Sequence, residues 1–372
     1  MKLYTVVITH YNQMEYIYEA IDSVLIQDYP NIELIITDDN SKKFEKDNII
    51  KYIEEHKKKN IKNYLIIKND INVGTVKTLN RAIKQSTGDY IQFFAADDAL
   101  YNKNVISKFV KELDTSEEYI ITTQCYMCGK SLKDKKEKYV LSDYAKKLNF
   151  KSAYEQYLAI SNSCMYGSGA TAYNKKIFVE LGLFDEKYKL VEDWSFYLFS
   201  TLNGYKIKYV DFVSFLHRTG GVSHYENDDL PPHVKLYQID IINIFEDLVL
   251  INMSKKDRND AEQLYNKYLF LIDFYGRKDH ELLNTKNSRI QRVKKNNRLF
   301  FLSDVVDKVK NVLHSQLFHT LFYILFFTFV VDFLLSLIFK LDYKYIFIHI
   351  LSYVIALIII KMLKIIKRRL RL

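Results

Sequence analysis

Asp97 and Asp98 stand side by side where the apolar run YIQFFA (90–95) stops. Adjacent carboxylates repel, so their position needs a reason. One is a divalent cation: Mg²⁺ commonly takes one or two carboxylates plus phosphate oxygens. Such an ion absorbs the charge that develops on a departing diphosphate. The other is capping of the next helix, which Asp does well. Asp38, Asp39, Asn40 and Ser41 end a second apolar run. They suit a turn and cap, or hydrogen bonds to a base or ribose. Glu192 and Asp193, in LVEDWSFYL, stand where a loop enters a helical pattern. There they can cap, favoured by the helix dipole, or act as a general base toward a hydroxyl.

Other chemistry-bearing residues give weaker signals. Asn72 and Gly74, in NDINVGTVKTLN, read as a tight turn before a helix, with glycine allowing positive φ or close backbone approach. His217 and His224, in LHRTGGVSH, match no zinc spacing. Cys125 and Cys128 form a C-x-x-C inside a strand-like run, without the helix start or second ligand pair that redox or zinc chemistry needs. They read as buried or half-exposed thiols of a reducing compartment.

The elements that must position these groups alternate. LYTVVIT (3–9), IELIIT (32–37), NYLIIK (63–68), YIQFFA (90–95) and YIITTQC (119–125) read as strands. Helical patterns at 13–27, 43–59, 75–87 and 102–113 separate them. Alternating βα units predict a mostly parallel sheet with helices on both faces. Sheets of this kind bind ligands beyond the carboxyl ends of their strands, and the polar clusters fall there. Residues 127–190 are less regular; 182–211 reads as loop, helix, turn at Gly204 and strand; about 231–275 is helical. No internal repeat is visible, and only 3 Pro and 10 Gly argue against long disordered tracts.

The net charge of +9 does not point to nucleic acid. Residues 286–298 and 361–372 each hold six basic groups and no acid, and 299–360 is neutral, which leaves −3 for residues 1–285. Positive charge flanking an apolar end fits an anionic membrane surface better than a nucleic-acid groove. The run at 317–339 is long enough to cross ~30 Å of hydrocarbon, and the run at about 344–363 is shorter, with Lys361 able to snorkel. They predict a membrane-inserted hairpin with both basic clusters on the cytoplasmic side; the competing reading is a pair of interfacial or buried helices. MKLYTVVITHYN is no signal peptide.

Taken as an ordered set, VVITHYN, IITDDNS, NVGTVKTLNRAI, TGDYIQFFAADD, GLFDEKY with VEDWSFYL, and GYKIKYVD resemble glycosyltransferase family 2 over about residues 1–225. The resemblance implies the GT-A fold and an inverting transfer from a nucleotide-diphosphate sugar with Mg²⁺ or Mn²⁺. It implies that Thr9, Tyr11 and Asp39 hold the base. Asn72 and Arg218 would join the nucleotide-sugar site, and Asp97 would sit near ribose or metal. Asp98 would be the direct metal ligand, and Asp193 the catalytic base. This sequence departs from the family in three ways. Ala95 stands where many relatives have another Asp, Gly220 stands where many have His, and the Gln-x-x-Arg-Trp motif of processive synthases is absent. Addition of one sugar per encounter is expected.

The domain reading is therefore a catalytic domain over 1–225, a helical basic connection over 226–312 and the hydrophobic hairpin over 313–372. The expected partners are the donor, a lipid-linked or glycan acceptor and a membrane, but no nucleic acid. Two competing readings are an inactive membrane-anchored binding or scaffold protein and a sugar nucleotidyltransferase. The second would want a Gly-rich loop after the first strand, and VVITHYNQMEY has none.

Overall fold

The computed structural model describes residues 1–219, 232–254 and 256–276. The described elements belong to one compact unit, Met1–Thr285, and a second unit spans Lys286–Leu372. The spans expected at 317–339 and 344–363, both basic clusters, Gly220 and His224 lie outside the described residues. Among the described residues no helix is long and apolar enough to cross a membrane.

The predicted alternation is present. It runs β1 (Tyr4–His10), α1 (Ile17–Leu25), β2 (Ile32–Asp38), α2 (Lys46–His56), β3 (Ile61–Lys68), α3 (Thr75–Gln85) and β4 (Tyr90–Ala95). After these come β5 (Ala99–Leu100), α4 (Val105–Thr115) and β6 (Ile120–Cys128). Strand β2 is buried along its whole length, as expected for a strand covered on both faces. Successive side chains of β1 serve opposite faces, as the two-residue strand period requires. Val7 packs with Ile35 and Phe93 on one face, and Val6 and Ile8 pack with Leu34 and Ile36 on the other. Parallel registers bring His10 beside Asp38, and Thr9 beside both Thr37 and Ala95. The polar clusters thus end on one rim.

The sheet is mixed rather than mostly parallel. Its order is β3-β2-β1-β4-β8-β6-β9-β5, with β7 (Lys135–Lys138) on β6. Strand β8 (Thr171–Asn174) lies antiparallel between β4 and β6. Strands β5 and β7 are also antiparallel to their partners, while β9 (Ile207–Arg218) runs parallel to β6. Alternation foretold the parallel half, because crossover helices announce it. The antiparallel half is built from short strands whose two to four residues carry too little periodicity to read.

The irregular region contains α5 (Ser142–Leu148), α6 (Ala153–Ile160), a 3₁₀ turn (Ser168–Ala170) and α7 (Lys176–Glu180). Helix α8 (Glu192–Leu202) then packs on the sheet through an aromatic cluster. Phe196 lies 5.2 Å from Phe178 and 5.1 Å from Phe184, and Phe93 lies 5.7 Å from Phe184. These contacts fix the helix whose first turn carries Glu192 and Asp193. Helices α9 (Pro232–Ile244) and α10 (Arg258–Gly276), joined through a π-helical turn (Phe245–Val249), pack against the same face. Phe245 meets Trp194 edge-on at 5.6 Å, and Ile241, Phe245 and Ala261 share the core with Tyr157 and Leu198.

Candidate active site

The carboxyl ends of β1 and β2 are tied by a buried network. His10 Nδ1 donates to Asp38 Oδ1 (2.7 Å), and Ser41 donates to the same carboxylate through its hydroxyl (2.5 Å) and backbone (3.0 Å). Gln13 N donates to His10 Nε2 (3.2 Å), which sets the tautomer. Burial alone would raise the Asp38 pKa, but the His10 and Ser41 bonds outweigh it and the pKa is lowered. Asn12 and Asn40 take positive φ, 56° and 61°, at the two turns. Ser41 Oγ accepts from Asn12 N (2.8 Å), and Asn12 Oδ1 accepts from Lys42 N (2.9 Å), so each loop holds the other. The sequence placed His10 in the polar cluster Thr9–Asn12 at the end of the first strand but gave it no role.

Asp39 is buried and receives the next loop. Its oxygens accept from Asn69 Nδ2 (2.9 Å), Val73 N (2.9 Å) and Gly74 N (2.8 Å). The turn expected at Gly74 is real, with φ +88°, and a Cβ there would lie 3.1 Å from the Lys189 carbonyl oxygen. Tyr11 is half exposed and Asn72 is exposed.

Asp98 is 4 % exposed. One oxygen accepts from Arg218 N (2.8 Å), and the other lies 3.0 Å from His217 Nδ1. Each oxygen keeps a further lone pair, since a carboxylate offers about four acceptor positions. Burial first, then the charge of Asp98, pushes the Asp97 carboxyl up to about 6. Arg218 Nε donates to the Asp97 carbonyl (2.9 Å), Nη1 to the Lys130 carbonyl and Nη2 to Glu19 (2.7 Å). Its guanidinium also lies 4.2 Å from the centre of the Tyr16 ring. Arg218 therefore braces the acidic turn from behind.

The base expected at Asp193 opens α8. Asp193 Oδ1 accepts from Trp194 N (2.7 Å), and Oδ2 lies 3.9 Å from Cys164 Sγ. Glu192 accepts from Ser168 Oγ (3.0 Å). Burial raises both carboxyl pKa values, and for Glu192 the charge of Asp193 adds to it. A raised pKa brings a carboxylate toward the working range of a general base.

The loop into α8 is held by a residue the sequence did not flag. Asp240, 1 % exposed on α9, accepts from three successive backbone N–H groups: Lys189 (2.7 Å), Leu190 (2.6 Å) and Val191 (3.2 Å). A lone carboxylate inside the apolar run YQIDIINI was its only trace. Asp240→Ala strands these donors, and a loss on the order of 3 kcal/mol is expected, with reduced turnover. Asp240→Asn, which keeps an acceptor, should lose less; denaturant unfolding of the two variants checks the order.

These elements enclose a cavity of about 400 Å³. Thr9, Asp98 and Asp193 line it together, with Ala95, Glu192 and His217. Asp39 stands behind, through the Gly74 turn that delivers Thr75 to the wall. Tyr11, Asn72, Asp97 and Arg218 are not among the lining residues. Tyr237 and Ile241 of α9 and Tyr268 of α10 close the cavity from outside the resembling region. Periodicity predicted those helices but not the face they would present.

Cys125, Cys128 and Cys164 are free, and burial pushes the Cys125 thiol up to about 12. No group of three or more His, Cys, Asp or Glu suited to caging a metal is present among the described residues. The open lone pairs of Asp98 on the cavity fit an ion whose remaining ligands come from a diphosphate, and Asp97, next to it in the chain, does not line the cavity.

The family model described as Glycosyl transferase family 2 matches residues 5–182. An uncharacterized glycosyltransferase of Haemophilus influenzae is 24% identical over 296 residues, 72% of this chain and 86% of that one. Escherichia coli WfaP is described as a UDP-Glc:alpha-D-GlcNAc-diphosphoundecaprenol beta-1,3-glucosyltransferase. It is 32% identical over 127 residues, 34% of this chain and 47% of its own. A crystal structure of S. aureus TarS in complex with UDP-GlcNAc is 19% identical, covering 74% of each chain at a TM-score of 0.48. The likeness to glycosyltransferase family 2 therefore lies in residues 5–182.

Proposed function

We propose that the protein moves a single sugar from a nucleotide-diphosphate donor, a UDP-sugar, to a hydroxyl of a lipid-linked or cell-surface glycan, with inversion at the anomeric carbon. The observation that supports it most is that Asp98 and Asp193, far apart in sequence, line one cavity with Thr9. In this reading Asp193 takes the proton of the acceptor hydroxyl as its oxygen bonds to C1. The bond from C1 to the diphosphate oxygen breaks on the opposite side, and the nucleotide diphosphate leaves. Asp98, with Asp97 beside it in the chain, would hold Mn²⁺ or Mg²⁺, which would neutralise diphosphate charge. Asp39 shapes the wall against which the base lies; Thr9, Tyr11, Asn72 and Arg218 complete or support the donor site. Ala95 leaves one carboxylate fewer on this wall, so ion and donor would enter together.

The WfaP likeness favours a lipid-linked acceptor, and the apolar C-terminal runs favour a catalytic domain held at the cytoplasmic face of a membrane. The domain division expected from sequence, at 225 and 312, enters this reading only as a change from catalytic fold to helical tail, since Asp240 beyond 225 holds residues 189–191. A thermal-shift series of nucleotide sugars tests the donor. Stabilisation by a UDP-sugar with Mn²⁺, lost on chelation and followed by product in a transfer assay, is the expected result. Equal stabilisation with and without the ion would remove the metal from the scheme. Retention of the full chain on neutral lipid vesicles through high salt tests the membrane anchor.

A further inference from the structure

Fourteen large apolar side chains are exposed among the described residues, and five of them fall within 139–154. They are Tyr139 (37 %), Leu141 (75 %), Tyr144 (47 %), Phe150 (90 %) and Tyr154 (44 %). The segment is ordered chain with a reason for each turn. Ala145 and Leu148 of α5 are buried. Ser152 and Glu155 form a reciprocal capping box at the start of α6, which fixes the corner where Phe150 projects. A folded corner that presents rings and a Leu to water is unusual unless something covers it.

Charge says what covers it. Residues 130–151 contain eight Lys against three acidic residues, in a 1–285 body whose net charge is −3. Lys133, Lys136, Lys138 and Lys147 are exposed. Lysines interleaved with exposed Tyr, Phe and Leu are the composition of an element that lies in an anionic lipid interface. Its rings enter the headgroup boundary and its ammonium groups meet the phosphates. We propose that the α5–α6 corner, with β7, docks the catalytic domain on an anionic bilayer. The contact itself uses only described residues and does not need the C-terminal spans; its purpose, presenting the cavity to a lipid-linked hydroxyl, rests on the reading above. Tyr139 carries the connection. It lines the cavity, donates to the Cys164 carbonyl (2.8 Å) and is itself exposed at the start of the apolar patch.

The test places a reporter on the corner of the full-length protein. Trp194 is the only native tryptophan and is buried. Phe150→Trp is compared with Val179→Trp, an 84 % exposed site on α7, on phosphatidylcholine vesicles with or without phosphatidylglycerol. With phosphatidylglycerol, the emission of the Phe150→Trp protein is expected to shift to shorter wavelength and to be quenched by brominated acyl chains. The Val179→Trp protein should stay open to an aqueous quencher. Lys136→Glu with Lys147→Glu should weaken the engagement by roughly tenfold or more. If the reporter at 150 stays water-accessible while the chain floats with the vesicles, the docking proposal falls and the anchor stands. Should the chain leave neutral vesicles in high salt while the reporter is still quenched on anionic ones, the anchor falls and the docking stands. Quenching of both reporters alike, or protection at 150 by a soluble polyanion but not by anionic vesicles, also overturns the proposal.

Discussion

Asp193→Asn is expected to bind the donor as the parent protein does and to lose about 10²–10⁴-fold in turnover, the usual contribution of a positioned base. The amide keeps the carboxylate's shape and its acceptor for Trp194 N (2.7 Å in the parent), so folding is little affected. The pH profile gives a second readout. Burial raises the Asp193 pKa, and a protonated Asp193 cannot accept the hydroxyl proton. Activity should therefore fall as the pH drops through a value above the ordinary carboxylate range. Unchanged turnover in Asp193→Asn, measured with donor and acceptor saturating, would show that another group is the base.

Asp98→Ala should be the most damaging change at the other wall. It strands the Arg218 backbone N–H (2.8 Å in the parent) and takes the carboxylate from His217 (3.0 Å). Removing one partner from a buried set of this kind costs on the order of 3 kcal/mol. It also removes a cavity-facing ligand, so Mn²⁺-dependent donor stabilisation should vanish along with turnover. Asp97→Asn separates the two effects. Asp97 is pushed up to about 6 by burial and by Asp98, so its charge is already costly and neutralising it should spare the fold while weakening the ion. Denaturant unfolding and donor thermal shifts, run on both variants, check the contrast. An Asp98→Ala protein that keeps its metal dependence would place the cation elsewhere.

Much of this site could be read before any coordinates. Val6–Val7–Ile8 and Leu34–Ile35–Ile36 announce strands covered on both faces, and such strands can end in polar residues only at a rim. That puts Thr9, Asp39 and Asp98 at the strand ends, though only Thr9 and Asp98 line the cavity. What periodicity could not give was partnership. Nothing in AADD says that His217 and Arg218, on a strand more than a hundred residues later, will engage Asp98. Nothing in TAYN says that four residues will slot antiparallel between β4 and β6. The cavity roof was hidden for a related reason. An apolar helix stripe reports that a face is buried, but not that Tyr237 and Tyr268 will look onto a carboxylate from an earlier helix.

The grip of Asp240 on residues 189–191 also limits how the molecule can be divided. The matched region ends at 182, yet the peptide that aims the proposed proton acceptor is gripped by a side chain on a helix beyond 225. The catalytic half is therefore not a portable cassette. Grafted onto a different helical tail, it would need that tail to bring an anion to the same three amides, so exchange between relatives should succeed only where the tail travels with the head.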